Sequence, residues 1–470
     1  MKKLLLLSLL VLISCSKDST EDNSSVYVAP TSNTINPTPT VDFRNESYSS
    51  INNTVGNIER QKWNLHFSDY DFIWNEVTQR TNVDNYYPIY KASVQYDFFD
   101  DGKLDLLVFN AGSGEKIPGL YVLIEDVLED DRTITTFPSK LYSANSAVLS
   151  DTDGDGRNEM LLFGENSHNN SEFGGPNNYL ETGYRIFFDS NKNIVEQNIG
   201  SIPIGVHDVT SGDIDNDGDI DIVVFPTGVN QATVTPNFYF PLKLINDGFG
   251  NFVEKPFFSD EELITSKYGF NEWLATTFHL FDVNNDGYLD LVGGHYIGTG
   301  DPRWGAEFIK DKKDLTFAGI FISYGTSSGD YFYEQVGYFS ESALSDKTQI
   351  LYGLTFTDYD NDNDYDIVMS TYEVDLSGSF NLDSDSYIIH LLKNDNNNFL
   401  NVTETVIDGF SDLSGTRFSN FYRPIINDVD DDGDYDIVAT AYRYGNNNIT
   451  YPKLLYWEKI GGGYVRKEIY

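Results

Sequence analysis

Nine residues, Asp213-Ile214-Asp215-Asn216-Asp217-Gly218-Asp219-Ile220-Asp221, lead directly into Ile222-Val223-Val224-Phe225. Carboxylates stand at positions 1, 3, 5 and 9, with glycine at 6. Side chains at alternate positions of such a loop converge on one point, which suits a hard cation taking about six to eight oxygen ligands. Gly218 allows the tight turn that returns Asp221 to that point. The β-branched apolar run that follows reads as a strand. A loop of this kind hands the chain from a metal site straight into a sheet.

The pattern occurs six times, starting at Asp97, Asp151, Asp213, Asp282, Asp358 and Asp428, with successive spacings of 54, 62, 69, 76 and 70 residues. An EF-hand would need Glu at position 12 and a helix on each side. Position 12 of the third loop is Val224. Each loop instead follows a strand-like run, such as Thr276 to Phe281, and precedes another, such as Asp366 to Met369. Two more strands joined by a Gly/Asn turn come later, at Leu242 to Phe252, Leu392 to Phe399 and Trp457 to Tyr464. Four strands per repeat without helical periodicity predict an all-β chain, a β-propeller of four-stranded antiparallel blades. A solenoid of β-coils would have far shorter repeats. Six blades carry the motif. Residues from about Glu59 to Tyr90, with Trp63 and Trp74, supply a degenerate seventh, so seven blades are expected; six would close alone if the last repeat provides its own four strands.

These repeats resemble the FG-GAP and VCBS repeats of integrin α-subunit propellers and of many bacterial secreted proteins, over about Lys91 to Tyr470. In that family the acidic loop joins the innermost strand of a blade to the next one out. Several structural Ca²⁺ ions are expected, held by side chains at positions 1, 3, 5 and 9 and by the position 7 carbonyl. The side-chain ligands would be Asp97, Asp101 and Asp105 in the first loop and Asp151, Asp153, Asp155 and Glu159 in the second. The third offers Asp213, Asp215, Asp217 and Asp221, and the fourth Asp282, Asn284, Asp286 and Asp290. The fifth offers Asp358, Asp360, Asp362 and Asp366, and the sixth Asp428, Asp430, Asp432 and Asp436. Phe99 replaces the position 3 ligand of the first loop, and Asn363 replaces the glycine of the fifth. Asn tolerates the left-handed backbone better than most residues. Acidic turns without metal are the plain alternative, and these two loops are where it weighs most.

The formal net charge is −42, and the six loops hold 27 of the 73 Asp and Glu residues. Such a chain repels nucleic acid and anionic lipid and suits cations. At 15% aromatic residues it is no disordered acidic tail. Lys2 and Lys3, then the apolar run Leu4 to Ile13, read as a signal segment too short to span a bilayer. The sequence Leu12-Ile13-Ser14-Cys15 resembles the lipobox of bacterial lipoproteins. It implies removal of residues 1–14, lipidation of Cys15 and attachment to a membrane. Residues 15–58, rich in Ser, Thr, Asn and Pro, form a flexible tether, and 59–470 the propeller. Their acidic start is similar to surface-export signals of Bacteroidetes lipoproteins. An outer-membrane lipoprotein, facing the periplasm or the cell surface, is expected. Cys15 is the chain's one cysteine, so no disulfide forms within it.

Catalytic motifs are missing. There is no Gly-x-Ser-x-Gly, no P-loop and no His-Glu-x-x-His. A ligand is expected on the face opposite the loops. Six residues before each first Asp stand Lys91, Asn145, His207, Thr276, Tyr352 and Tyr422. One residue later come Ala92, Ser146, Asp208, Thr277, Gly353 and Arg423. His207, Asp208, Tyr422 and Arg423, with His295, Arg303 and Trp304 from a long insertion, are the candidates there. These residue types suit a glycan or a peptide loop. The expected function is a binding or scaffold module for a protein partner or glycan. The alternatives are a carbohydrate-binding adhesin and a polysaccharide-active enzyme such as a lyase.

Overall fold

The structure, a computed structural model, describes residues 86–103, 105–112, 118–126, 132–141, 144, 146–164, 182–200, 206–226, 241–258, 275–295, 320–336, 347–375, 387–408, 421–427, 432–441 and 454–469. The chain divides into two units, Met1–Asn36 and Pro37–Tyr470, and every described residue belongs to the second. Cys15, the tether, Trp63 and Trp74 lie outside the described residues.

Among the described residues, 24 strands form six four-stranded antiparallel sheets, each taking its strands in chain order. The first is β1 (Tyr86–Tyr96), β2 (Asp105–Gly112), β3 (Leu120–Glu125) and β4 (Thr133–Pro138). The second is β5 (Ser146–Ser150), β6 (Glu159–Phe163), β7 (Gly183–Phe188) and β8 (Ile194–Ile199). The third comprises β9 (Val206–Gly212), β10 (Asp221–Pro226), β11 (Leu242–Asn246) and β12 (Phe252–Pro256). The fourth is β13 (Ala275–Phe281), β14 (Asp290–His295), β15 (Ile320–Tyr324) and β16 (Phe332–Val336). The fifth is β17 (Lys347–Thr357), β18 (Asp366–Asp375), β19 (Tyr387–Asp395) and β20 (Asn398–Asn401). The sixth is β21 (Phe421–Asn427), β22 (Asp436–Ala441), β23 (Leu454–Ile460) and β24 (Gly463–Ile469). Every acidic loop therefore joins the first strand of a sheet to the second. Tyr86 to Pro88, read from sequence as the edge of a motif-free blade, pair with Asn110 to Gly112 and belong to the first motif sheet.

The core lies between successive sheets. The second strand of each sheet is the most deeply buried, β6 along its whole length, as its unbroken apolar run requires. Val148, Leu161 and Phe163 of the second sheet pack against Val209, Ile222 and Val224 of the third. Phe225 of the third meets Phe278 and Phe321 of the fourth, with ring centroids 4.2 and 6.4 Å apart. Each such ring contributes about 1.5–3 kcal/mol through burial. First strands also run beside one another in sequence, from β1 to β5, β9, β13, β17 and β21. A helical turn, α1 (Thr403–Val406), follows β20. Beyond it, Asp408 donates its N–H to Tyr464 and accepts from Trp457 Nε1, lashing the fifth sheet to the sixth.

One irregularity recurs. In β9, β13, β17 and β21 a single residue has no opposite number in the second strand: His207, Thr276, Tyr352 and Tyr422 respectively. In β1 the register slips between Pro88 and Ser93, around Lys91. These are β-bulges, which bend a strand and re-aim its side chains. In β9, β13, β17 and β21 they occupy the position six residues before the loop's first Asp.

Candidate metal centres

Position 1 fixes each loop. Asp213 accepts the N–H groups of Asp217 (3.1 Å) and Gly218 (3.0 Å). Asp97, Asp151, Asp282 and Asp358 accept the equivalent pairs in their loops. Position 6 then takes a left-handed backbone, at φ +95° in Gly218 and +71° in Asn363. A Cβ at Gly218 would meet nothing within 4 Å, so conformation and not space selects glycine, and Asn363 is admissible. Position 4 is left-handed as well, in Asp100, Gly154, Asn216, Asn285 and Asn361.

Position 9 opens the second strand of each sheet and is buried every time, in Asp105, Glu159, Asp221, Asp290, Asp366 and Asp436. Asp221 accepts from Ile214 N–H (3.1 Å) at its loop's second residue and from Asn246 N–H (2.8 Å) at the end of β11. Asp105, Asp290 and Asp366 bridge the same two places. Glu159, one methylene longer, accepts from Thr152 N–H and Oγ1. Burial pushes Asp105, Glu159, Asp221, Asp290 and Asp366 up to about 7. A cation alongside would draw them back down.

Neighbouring sheets close over the loops. Asn246 Nδ2 donates to Thr152 O in the second loop (2.7 Å), and Asn394 Nδ2 to Val283 O in the fourth (3.3 Å). Tyr331, on the fourth sheet, buries its hydroxyl without a hydrogen-bond partner. Burial raises its pKa first, and the nearby carboxylates Asp290, Asp221, Asp213 and Asp215 raise it further. Sequence reading missed these third- and fourth-strand residues, which lie far from the loops in the chain.

Among the described residues, three loops gather their acidic oxygens within 4.8 Å of one another: Asp151, Asp153, Asp155 and Glu159; Asp213, Asp215 and Asp221; Asp358, Asp360 and Asp366. In the second and third loops the donor set fits a hard cation. Asp153 Oδ1 and Asp215 Oδ1 are buried with no hydrogen-bond partner, an arrangement that costs free energy unless an ion satisfies it. Asp153 also receives Arg185 Nη2 at its other oxygen (2.5 Å). Asp217 turns to cap Asp219 N–H (3.0 Å).

The other loops differ. In the first, the Phe99 ring carries Lys192 Nζ at 3.8 Å, where a position 3 ligand would stand. Asp101 caps Lys103 N–H, a bond that position 5 makes to position 7 in all six loops. In the fourth, Asn284 donates to Asp286 at 3.1 Å, so two expected ligands satisfy each other. In the fifth, Lys393 Nζ reaches both Asp360 and Asp362. In the sixth, Asp432 caps Asp434 N–H and Asp436 accepts from Lys459 N–H, while Asp428 and Asp430 lie outside the described residues.

Of the expected ligand-face residues, Asp208 is buried, accepting from Ser146 Oγ (2.9 Å) and Val209 N–H (3.0 Å), which makes it a link between β5 and β9 and not a surface group. His207, His295, Tyr422 and Arg423 stand in β9, β14 and β21. Arg303 and Trp304 lie outside the described residues. No described helix is long and apolar enough to cross a membrane.

No family model matches the chain, and no curated protein matches it. Among solved structures it is similar to the rhamnogalacturonan lyase YesW at 13% identity and TM-score 0.34, covering 79% of this chain and 67% of that one. It is similar to the Bacillus licheniformis rhamnogalacturonan lyase PL11 at 13% identity and TM-score 0.32, covering 79% and 68%. A Synechocystis apocarotenoid oxygenase mutant matches at 10% identity and TM-score 0.30, over 64% and 58%.

Proposed function

We propose that this chain is a calcium-braced β-propeller of FG-GAP/VCBS type, its six sheets being six of the blades, that serves as a binding module at the bacterial envelope. In this reading Cys15 anchors it to the outer membrane and the tether holds the propeller away from the lipid. Calcium is structural. The loop carboxylates and carbonyls would supply its oxygen ligands.

The observation that carries the binding reading is the shared bulge. His207, Thr276, Tyr352 and Tyr422 leave the ladder at one register position, six residues before the first Asp of the acidic loop, near the strand's start in β9, β13 and β21 and at mid-strand in β17. Bulges are common at the rims of closed sheets and beside binding sites. Two tyrosines, a histidine and a threonine are residue types that stack on and hydrogen-bond a glycan.

The test is a chain with all four residues changed to alanine, screened beside the parent on a glycan array in calcium. A loss of at least about tenfold in affinity, with an unchanged melting temperature, is expected. A parent chain that binds no glycan, and instead recovers one envelope protein whose binding the same four changes abolish, would assign the site to a protein partner. Binding that survives the four changes would sink the site.

A further inference from the structure

We infer that Lys393 is the built-in cation of the fifth loop, and that this loop takes no metal ion while the second and third do. Lys393 lies on β19, one residue before Asn394, whose N–H binds Asp366. Its ammonium is hydrogen-bonded to Asp360 and to Asp362 (3.0 Å), the position 3 and position 5 carboxylates. In a filled loop one oxygen of each would be left to the ion, the position 5 group giving its other oxygen to the position 7 N–H as Asp217 and Asp362 both do. Here those oxygens are turned on a side chain that the chain itself supplies, from 33 and 31 residues away.

The register makes the substitution specific. Position 10 of the fifth loop, Ile367, pairs with Leu392, which places Lys393 next along the strand. The same place holds Ile245, Tyr324, Glu458, Glu125 and Phe187 in the other sheets, none of them cationic. Arg185 in the second sheet is a different case. It lies opposite Leu161, two places earlier, and takes one oxygen of Asp153, leaving the buried Oδ1 without a hydrogen-bond partner.

Charge decides between ammonium and ion. A divalent cation drawn to the cluster of Asp358, Asp360 and Asp366 would stand within a few ångströms of the ammonium, and like charges at that range repel strongly in a partly buried site. The ammonium has the advantage of being tethered, so it pays no cost of association. The fifth loop would then keep its fold in chelator.

The experiment is calcium binding by the intact chain, counted by equilibrium dialysis with native mass spectrometry. Lys393→Met should bind one more calcium per chain than the parent, and Lys393→Arg should not. A folded Lys393→Met chain that binds no more calcium than the parent overturns the inference, whatever the parent binds. If Lys393→Met does not fold, the parent background decides: Asp215→Asn should lose one calcium and Asp360→Asn none, and loss of one calcium from Asp360→Asn overturns it. Hydrogen exchange gives an independent reading. Chelator should speed exchange at Asp217 and Gly218 by at least about tenfold and leave Asp362 and Asn363 within about twofold. Equal acceleration in both loops counts against a built-in cation. None of these results depends on the glycan test.

Discussion

The loops at Asp213 and Asp358 are alike in almost every bond and opposite in how their charge is met. Both use the first Asp to cap positions 5 and 6. Both bury the ninth residue and tie it to the end of the third strand, through Asn246 in one and Asn394 in the other. The third loop is then left with a buried, unpartnered oxygen on Asp215. In the fifth, Lys393 covers the corresponding carboxylate. Burial raises the Asp215 carboxyl above its ordinary range. At Asp362 burial is again the largest cause and acts upward, but the Lys393 hydrogen bond, the Asp364 N–H and the Lys393 charge together outweigh it and the net shift is downward. The backbone frame is thus independent of the cation that neutralises it, and an external ion is one of two solutions.

The largest effect should come from the residue both loops share. Asp221→Ala and Asp366→Ala each strand two backbone N–H groups and remove a buried carboxylate, at a cost of about 3–5 kcal/mol. Denaturant unfolding should find the two equal in chelator. In calcium Asp221→Ala should be the worse, since it also loses a metal site. Equal penalties in both conditions would break the comparison.

His390 gives a test confined to the fifth sheet. Its ring is buried against Thr371 Oγ1 at 2.8 Å, and burial lowers its pKa to about 4 from 6.5. The folded state then binds fewer protons than the unfolded one between those values. Stability rises with pH through the window and is lost on acidification, by up to about 3 kcal/mol. His390→Gln should flatten the fall between pH 6.5 and 4 by that amount, in calcium and in chelator alike. Identical profiles for the parent and the variant would show that the ring protonates without unfolding.

Position 3 separates the loops by sign. In chelator Asp215→Asn should be neutral or stabilising by about 1 kcal/mol, because it discharges an unpartnered buried oxygen. In calcium it should destabilise. Asp360→Asn should cost about 1 kcal/mol in both conditions, as loss of a partly exposed ion pair does. A calcium-dependent sign change at Asp360 would contradict a lysine-filled loop.

Much of this was legible in the sequence because it is local. Loop ends and flanking strands follow from carboxylates at fixed offsets running into β-branched residues. The weakness of the first loop was visible in Phe99, whose ring sits under Lys192. Lys393 was not legible, since its register against Leu400 is set by pairing between β19 and β20 and not by any spacing from Asp358. The bulges were hidden for another reason. His207, Thr276, Tyr352 and Tyr422 share no chemistry that marks a missing partner, and only the ladder reveals it.

The smallest effect is at position 6, where the loops differ by one side chain. Asn363 holds φ at +71° and Gly218 at +95°, in a turn where a Cβ at Gly218 meets no atom within 4 Å. The Asn363 carbonyl accepts from Asn285 Nδ2 (3.2 Å), a bond to backbone that any residue preserves. Asn363→Gly therefore relieves only the left-handed strain, offset by the extra freedom glycine gives the unfolded chain, and should change stability by no more than about 0.5 kcal/mol. Gly218→Asn should cost about as little in chelator, by the same balance read in reverse. In calcium its cost should stay the same if the ion depends on the turn alone. A cost that grows by 1 kcal/mol or more in calcium would mean that the glycine at position 6 serves the ion as well as the turn, and that Asn363 became tolerable only once Lys393 had replaced the ion.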